Sequence, residues 1–98
     1  MSIDEIKTLI KRRRGQMLVH SYLYYEMDTS VIDDDTWQRW ADELTTLQNK
    51  YPQCCKLCYY DKEFKDWDGS TGMHLPKTII IRHKAERVLD AYEKMGST

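Results

Sequence analysis

Apolar residues recur along this chain at helical spacing in three separate blocks. In the first, Ile3, Ile6, Ile10, Met17 and Tyr24 stand three or four residues apart, or at multiples of that step, and so lie along one stripe of a helix. Ser2 and Glu5 form an S-x-x-E capping box ahead of it, and Asp4 adds negative charge where the helix dipole favours it. The spacing predicts a helix over 3–27, with Gly15 weakening its middle by roughly 1 kcal/mol relative to Ala and marking a place for a bend. In the second block Trp37, Trp40, Ala41, Leu44, Leu47 and Tyr51 form an unbroken apolar stripe. It predicts a helix over 34–50, capped by Asp33 or Asp34 and stopped by Pro52. The third block, Ile81, Ala85, Val88, Leu89, Tyr92 and Met95, predicts a helix with Pro76 in its first turn and Gly96 at its C-terminus. The β-branched run Thr78 to Ile81 allows an extended start instead, and the last two residues are expected to fray.

Between the first two blocks, the turn-rich string DTSVIDDD makes a short corner, so the second helix returns antiparallel to the first or crosses it steeply. Residues 53–76 show no sustained period; a short helical turn is expected within Asp61 to Trp67. Asp68-Gly69-Ser70-Thr71-Gly72 is a turn-forming string whose amides and hydroxyls suit an anion, but with no strand before it and no helix directly after it the string reads as a loop. The expected fold is all-α: a small bundle of three main helices, with a long irregular segment at about 53–76 between the second and third, in one domain over 1–98.

Composition narrows this picture. With 41% hydrophobic and 32% charged residues in 98, the chain can fold around one small core and has no room for a second. No apolar run, Ile79 to Ile81 included, comes near the roughly 20 residues a membrane span needs. The opening MSIDEIK has no secretory pattern, so the cytoplasm is the expected compartment. A formal net charge of −1 gives no global attraction to nucleic acid. Lys7, Lys11, Arg12, Arg13 and Arg14 could still form a basic phosphate-binding patch, although consecutive helical residues point about 100° apart and only two of the run share a face. Cys54, Cys55 and Cys58 are expected to be reduced and half-buried; His74 and His83, the nearby histidines, do not have paired-ligand spacing, so no metal site is expected.

The stretch from His20 to Trp40, HSYLYYEMDTSVIDDDTWQRW, concentrates aromatics and acids at the corner. Aromatic faces beside carboxylates suit a planar cationic ligand. Tyr22 and Trp40 read as core, which leaves Tyr24, Tyr25, Asp34 and Trp37 as candidates for a site. The spacing of His20, Tyr22, Tyr24, Tyr25, Asp28, Ile32, Asp34, Glu43, Leu44, Leu47, Tyr51 and Pro52 resembles the N-terminal domain, called Ia, of bacterial NAD-dependent DNA ligases. The resemblance covers residues 20–52, about a third of the chain, and does not extend into residues 53–98.

What the resemblance implies is a helical domain that holds the nicotinamide mononucleotide (NMN) half of NAD, with Tyr24 and Tyr25 matching the family's aromatic pair and Asp34 its first acidic contact. Four positions depart from the family: Trp37 stands for Tyr, Gln38 for Asp, Ser30 for Pro and Trp40 for Leu. The loss of a carboxylate at Gln38 weakens the ligand site, by about 1 kcal/mol or more if that group is desolvated. Lys65 to Gly69 reads K-x-x-D-G, one residue longer than the ligase K-x-D-G motif, and no catalytic constellation accompanies it, so the chain is not expected to be an enzyme.

Three readings follow. The first is a non-catalytic binding module of phage or prophage type, acting in a bacterial host cytoplasm as an accessory or inhibitor through contact with a protein partner. The second is a binder of NMN or NAD through Tyr24, Tyr25, Asp34, Trp37 and Gln38, with no cofactor required. The third is nucleic-acid binding through Lys7 to Arg14.

Overall fold

A computed structural model describes residues 1–56, 60–65 and 67–96. Helix α1 spans Ile3–Glu26, α2 Asp34–Lys50, the single turn α3 Asp61–Phe64, and α4 Ile79–Gly96; Pro52–Cys54 forms a 3-10 turn after α2. The expected all-α bundle of three main helices is the fold observed, and no strand occurs among the described residues.

Local chemistry sets the boundaries. The Ser2 hydroxyl accepts from the Glu5 amide at 3.2 Å and donates to the Glu5 carboxylate, so Ser2 caps the helix as expected, with Glu5 reaching back to its hydroxyl. Helix α1 is unbroken through Gly15. Asp33 is the N-cap of α2, its carboxylate accepting from the Thr36 amide at 2.7 Å. The third long helix begins at Ile79, three residues after Pro76, with the Thr78 hydroxyl accepting from the Ile81 amide. The expected fraying of residues 97 and 98 lies outside the described residues.

Helix α1 is the centre of the bundle, packing against both α2 and α4. The pairs Arg13 with Glu43 and His20 with Trp40 run in opposite directions along α1 and α2, which makes these two an antiparallel hairpin. Ile6, Ile10, Met17 and Leu18 of α1 share the main core with Ala41, Leu44 and Leu47 of α2 and Ile81 of α4. A second cluster joins Val19 and Leu23 to Ala85, with Met27, Val31, Val88 and Leu89 around it.

Several expectations need correction. Ile3 and Tyr24 are on the predicted stripe of α1 but are exposed, because a straight helix drifts relative to a strict seven-residue spacing and the stripe turns away at both ends. Tyr92 and Met95 continue the α4 stripe past the end of the bundle and are exposed too. The described residues of segment 53–76 are irregular for the most part but not loose: Cys54, Phe64 and Leu75 are buried in the main core. Burying Phe64 alone removes enough apolar surface to contribute about 1.5–3 kcal/mol. Cys54 is therefore buried rather than half-buried; Cys55 is half-buried, with burial raising its thiol pKa, and Cys58 lies outside the described residues.

Arg14 is the largest departure. It sits four residues after Ile10 and three before Met17, on the buried face of α1, and is only 1% exposed. Its Nε donates to Gln48 Oε1 of α2 at 3.0 Å, its Nη1 pairs with Asp61 of α3, and its guanidinium lies 5.6 Å from the Phe64 ring centre. Gln48 in turn donates to the Phe64 carbonyl. A buried charge held this way ties α1, α2 and α3 together through satisfied hydrogen bonds.

Candidate functional site

The end of the α1–α2 hairpin carries a cleft of about 210 Å³. Two helical spacings build it. His20, Ser21, Tyr24 and Tyr25 lie one turn apart on α1, and Asp34, Trp37 and Gln38 one turn apart at the start of α2, so the antiparallel hairpin turns both sets toward one space. The corner between the helices adds Ser30, Ile32 and Asp33. Asp28, with φ +49°, takes the left-handed conformation there, and the Thr29 amide closes onto the Leu23 carbonyl at 3.0 Å.

The remaining wall comes from Ser70, Thr71 and Gly72, in the segment that shows no periodic pattern. Gly72 makes this possible. A Cβ there would stand 1.9 Å from Ser21 Oγ and 2.7 Å from Ser21 Cβ, so only glycine lets the loop lie against α1. Asp68 organises the turn by accepting from the Ser70 amide and hydroxyl at 2.9 and 2.7 Å; the Ser70 hydroxyl is the main cause of its lowered carboxyl pKa. Gly69 has φ +80° and packs against Ala41 and Thr45 of α2. Asp68 takes the Ser70 amide and the Thr71 hydroxyl takes the Met73 amide, so these two amides are satisfied within the loop itself.

Aromatic contacts fix the cleft's shape. Tyr24 and Tyr25 meet edge to face at 4.9 Å, and the Tyr25 hydroxyl bonds Thr71 Oγ1 at 3.0 Å across the opening. Trp37 is backed edge-on by Trp67 at 6.1 Å, and the Trp67 indole donates to the Thr71 carbonyl at 2.8 Å. Gln38 donates to Asp42 at 2.9 Å and to the Gly69 carbonyl at 3.2 Å. At this position the amide does what a carboxylate cannot, since donating to a carbonyl needs an N–H.

Two buried polar atoms in the cleft's lining, Ser21 Oγ and His20 Nδ1, have no hydrogen-bond partner among the described residues. The His20 ring rests 5.5 Å from Trp40, and burial lowers its pKa, favouring neutral imidazole. The Thr36 side chain and then its amide hold the Asp33 carboxyl below its ordinary value.

The five residues picked out as ligand candidates, Tyr24, Tyr25, Asp34, Trp37 and Gln38, all line this one cleft. The basic run is not assembled in the same way. Arg14 is internal, and Arg13 is taken up by Glu43 at 3.1 Å, by Gln16, and by the Trp40 ring at 5.5 Å. Lys11 and Arg12 are exposed. Ser21 escaped the sequence reading because it looks like any small helical residue; Ser70, Thr71 and Gly72 entered it as a loop string and not as part of this site, since the loop's approach to α1 depends on a contact about 50 positions away. His20 entered that reading through its motif spacing, not as a candidate ligand contact.

Comparison with known proteins adds an independent line. Residues 3–57 match the model of the DNA ligase-like, N-terminal NAD+-binding domain. Among individual proteins, the DNA ligase of Syntrophomonas wolfei is 39% identical over 49 residues, covering 50% of this chain and 7% of the ligase. The DNA ligase of Pseudothermotoga lettingae is 34% identical over 50 residues, 51% of this chain and 7% of the ligase. That of Coprothermobacter proteolyticus is 34% identical over 53 residues, 54% of this chain and 8% of the ligase. The chain thus spans less than a tenth of the length of these curated relatives. No solved structure matches it. The matched region contains all of α1 and α2 and stops before the loop that completes the cleft, and on that match the chain belongs to the family of DNA ligase-like, N-terminal NAD+-binding domains.

Proposed function

We propose that this chain is a non-catalytic binding module whose cleft between α1 and α2 takes the nicotinamide end of a nicotinamide nucleotide. The observation that carries this reading is the convergence of Tyr24, Tyr25, Asp34, Trp37 and Gln38 on one opening of about 210 Å³, in a chain whose family is described as NAD+-binding. Tyr24, Tyr25 and Trp37 offer aromatic faces to a pyridinium ring, and Asp34 offers negative charge to its cationic nitrogen. The space is below the roughly 300–1,000 Å³ of clefts that enclose drug-sized ligands, so it suits half of a dinucleotide and not the whole. Gln38, tied to Asp42 and Gly69, supports the loop wall instead of supplying charge, and weak binding is the expected consequence.

Titration calorimetry with NMN and NAD+, paired with tryptophan fluorescence, tests the reading. Saturable heat with quenching of Trp37, lost in Trp37→Leu, is the expected result; no heat and no quenching at millimolar ligand would remove it.

A second reading is an accessory or inhibitory module of phage type that acts on a protein partner in a bacterial cytoplasm. It is favoured by the exposed apolar positions Ile79, Ile80, Tyr92 and Met95 on α4. Specific recovery of one bacterial protein on the immobilised chain, abolished by Tyr92→Glu, is the outcome that supports it.

A further inference from the structure

The cleft has an electrostatic character that says more about its ligand. Its lining contains Asp33 and Asp34, three large aromatics, and the hydroxyls of Ser21, Ser30, Ser70 and Thr71; no Lys or Arg is among the described residues that line it. The histidine in the lining, His20, is pushed toward its neutral form by burial. The nearest arginine of α2, Arg39, has its guanidinium directed to the Thr36 hydroxyl at 3.4 Å, and its charge contributes least among the influences on Asp33. A helix N-terminus ordinarily attracts phosphate, but at α2 the Asp33 carboxylate already accepts from the Thr36 amide, and Asp34 and Asp35 add two further negative charges in the first turn. The loop amides of Ser70 and Met73 are likewise taken by Asp68 and Thr71. The amides named here are thus occupied, and no cationic side chain among the described residues of the lining offsets its two carboxylates.

From this we infer that the cleft selects a pyridinium nucleoside without a phosphate over the corresponding nucleotide. The inference rests on the nicotinamide reading of the same cleft and sharpens it from a nucleotide to a cationic nucleoside. The ring cation meets Tyr24, Tyr25, Trp37 and the Asp33 and Asp34 carboxylates, an attraction that a 5′-phosphate at the same mouth opposes. The ribose hydroxyls find matching partners in the uncommitted Ser21 Oγ, whose residue is 3% exposed, and in Ser30 and Ser70. Leaving Ser21 Oγ buried and unpaired is a cost that a ligand hydroxyl reaching it removes.

The test is calorimetry of the full chain at low ionic strength with nicotinamide riboside, uncharged nicotinamide and NMN. The expected order is riboside first, about tenfold tighter than NMN, with nicotinamide weakest. The gap between riboside and NMN narrows as salt is raised, because screening reduces the repulsion of the phosphate. Asp34→Asn narrows it at constant salt. Asp33→Asn does the same while keeping an asparagine at the cap, so folding is retained. NMN binding as tightly as the riboside, or a gap that neither variant changes, overturns the inference and leaves the nicotinamide reading standing. Binding of none of the three ligands removes that reading and the inference together.

Discussion

Burial of His20 links the stability of this domain to pH. Its folded-state pKa is lowered from the ordinary 6.5, and burial is the cause. Below that value the unfolded chain takes up a proton that the folded chain resists, so stability is complete above about pH 7 and falls as pH drops below about 6.5. The decline levels off once pH passes below the lowered folded value. Urea unfolding midpoints measured between about pH 7.5 and 5 are expected to fall, and His20→Gln, which cannot protonate, is expected to flatten that slope. An equal slope in the variant would place the effect elsewhere. At this same scale, the sequence indicated the aromatic and acidic side chains of the cleft because their spacing on two helices is regular. It did not indicate Ser21, whose role comes from Gly72 lying on it.

Among the elements, the long helices were predictable, and the 68–72 string was legible as a loop but not as a wall against α1. Helix α2 begins and ends where predicted, because Asp33 caps it and Pro52 cannot continue it. Helix α1 ends within a residue of its expected boundary, while α4 starts later than Pro76 suggested. The loop wall rests on the approach of Gly72 to Ser21, which has no local signature. Gly72→Val is expected to push the loop off α1, destabilise the chain by about 1–3 kcal/mol and break the Tyr25–Thr71 bond. The side-chain atoms in the way, Oγ and Cβ, both belong to Ser21, so adding Ser21→Gly should recover part of the loss. Thermal midpoints of the two single variants and the double variant check this; additive losses would show that the two positions do not meet.

For the whole molecule, Arg14 decides how the pieces are joined. It is the buried charge through which α1 reaches both Gln48 and Asp61. Arg14→Ala leaves Asp61 without this partner and opens a cavity beside Phe64, so a loss of about 3 kcal/mol is expected. Arg14→Met, which refills the volume, is expected to lose clearly less. Urea unfolding of both variants separates charge from packing, and equal losses would mean that the ion pair and not the filled space matters. Sequence alone determined that the chain is helical, where its long helices lie and which family residues 20–52 resemble, because helix periods, caps and turn residues act over a few neighbours. Only tertiary structure decided that Arg14 is internal, that segment 53–76 supplies core residues and that the 70–72 loop closes the cleft. Those outcomes depend on contacts between residues about 30 to 50 apart, and whether a charged or polar group can be buried is settled only by the partners that folding brings to it.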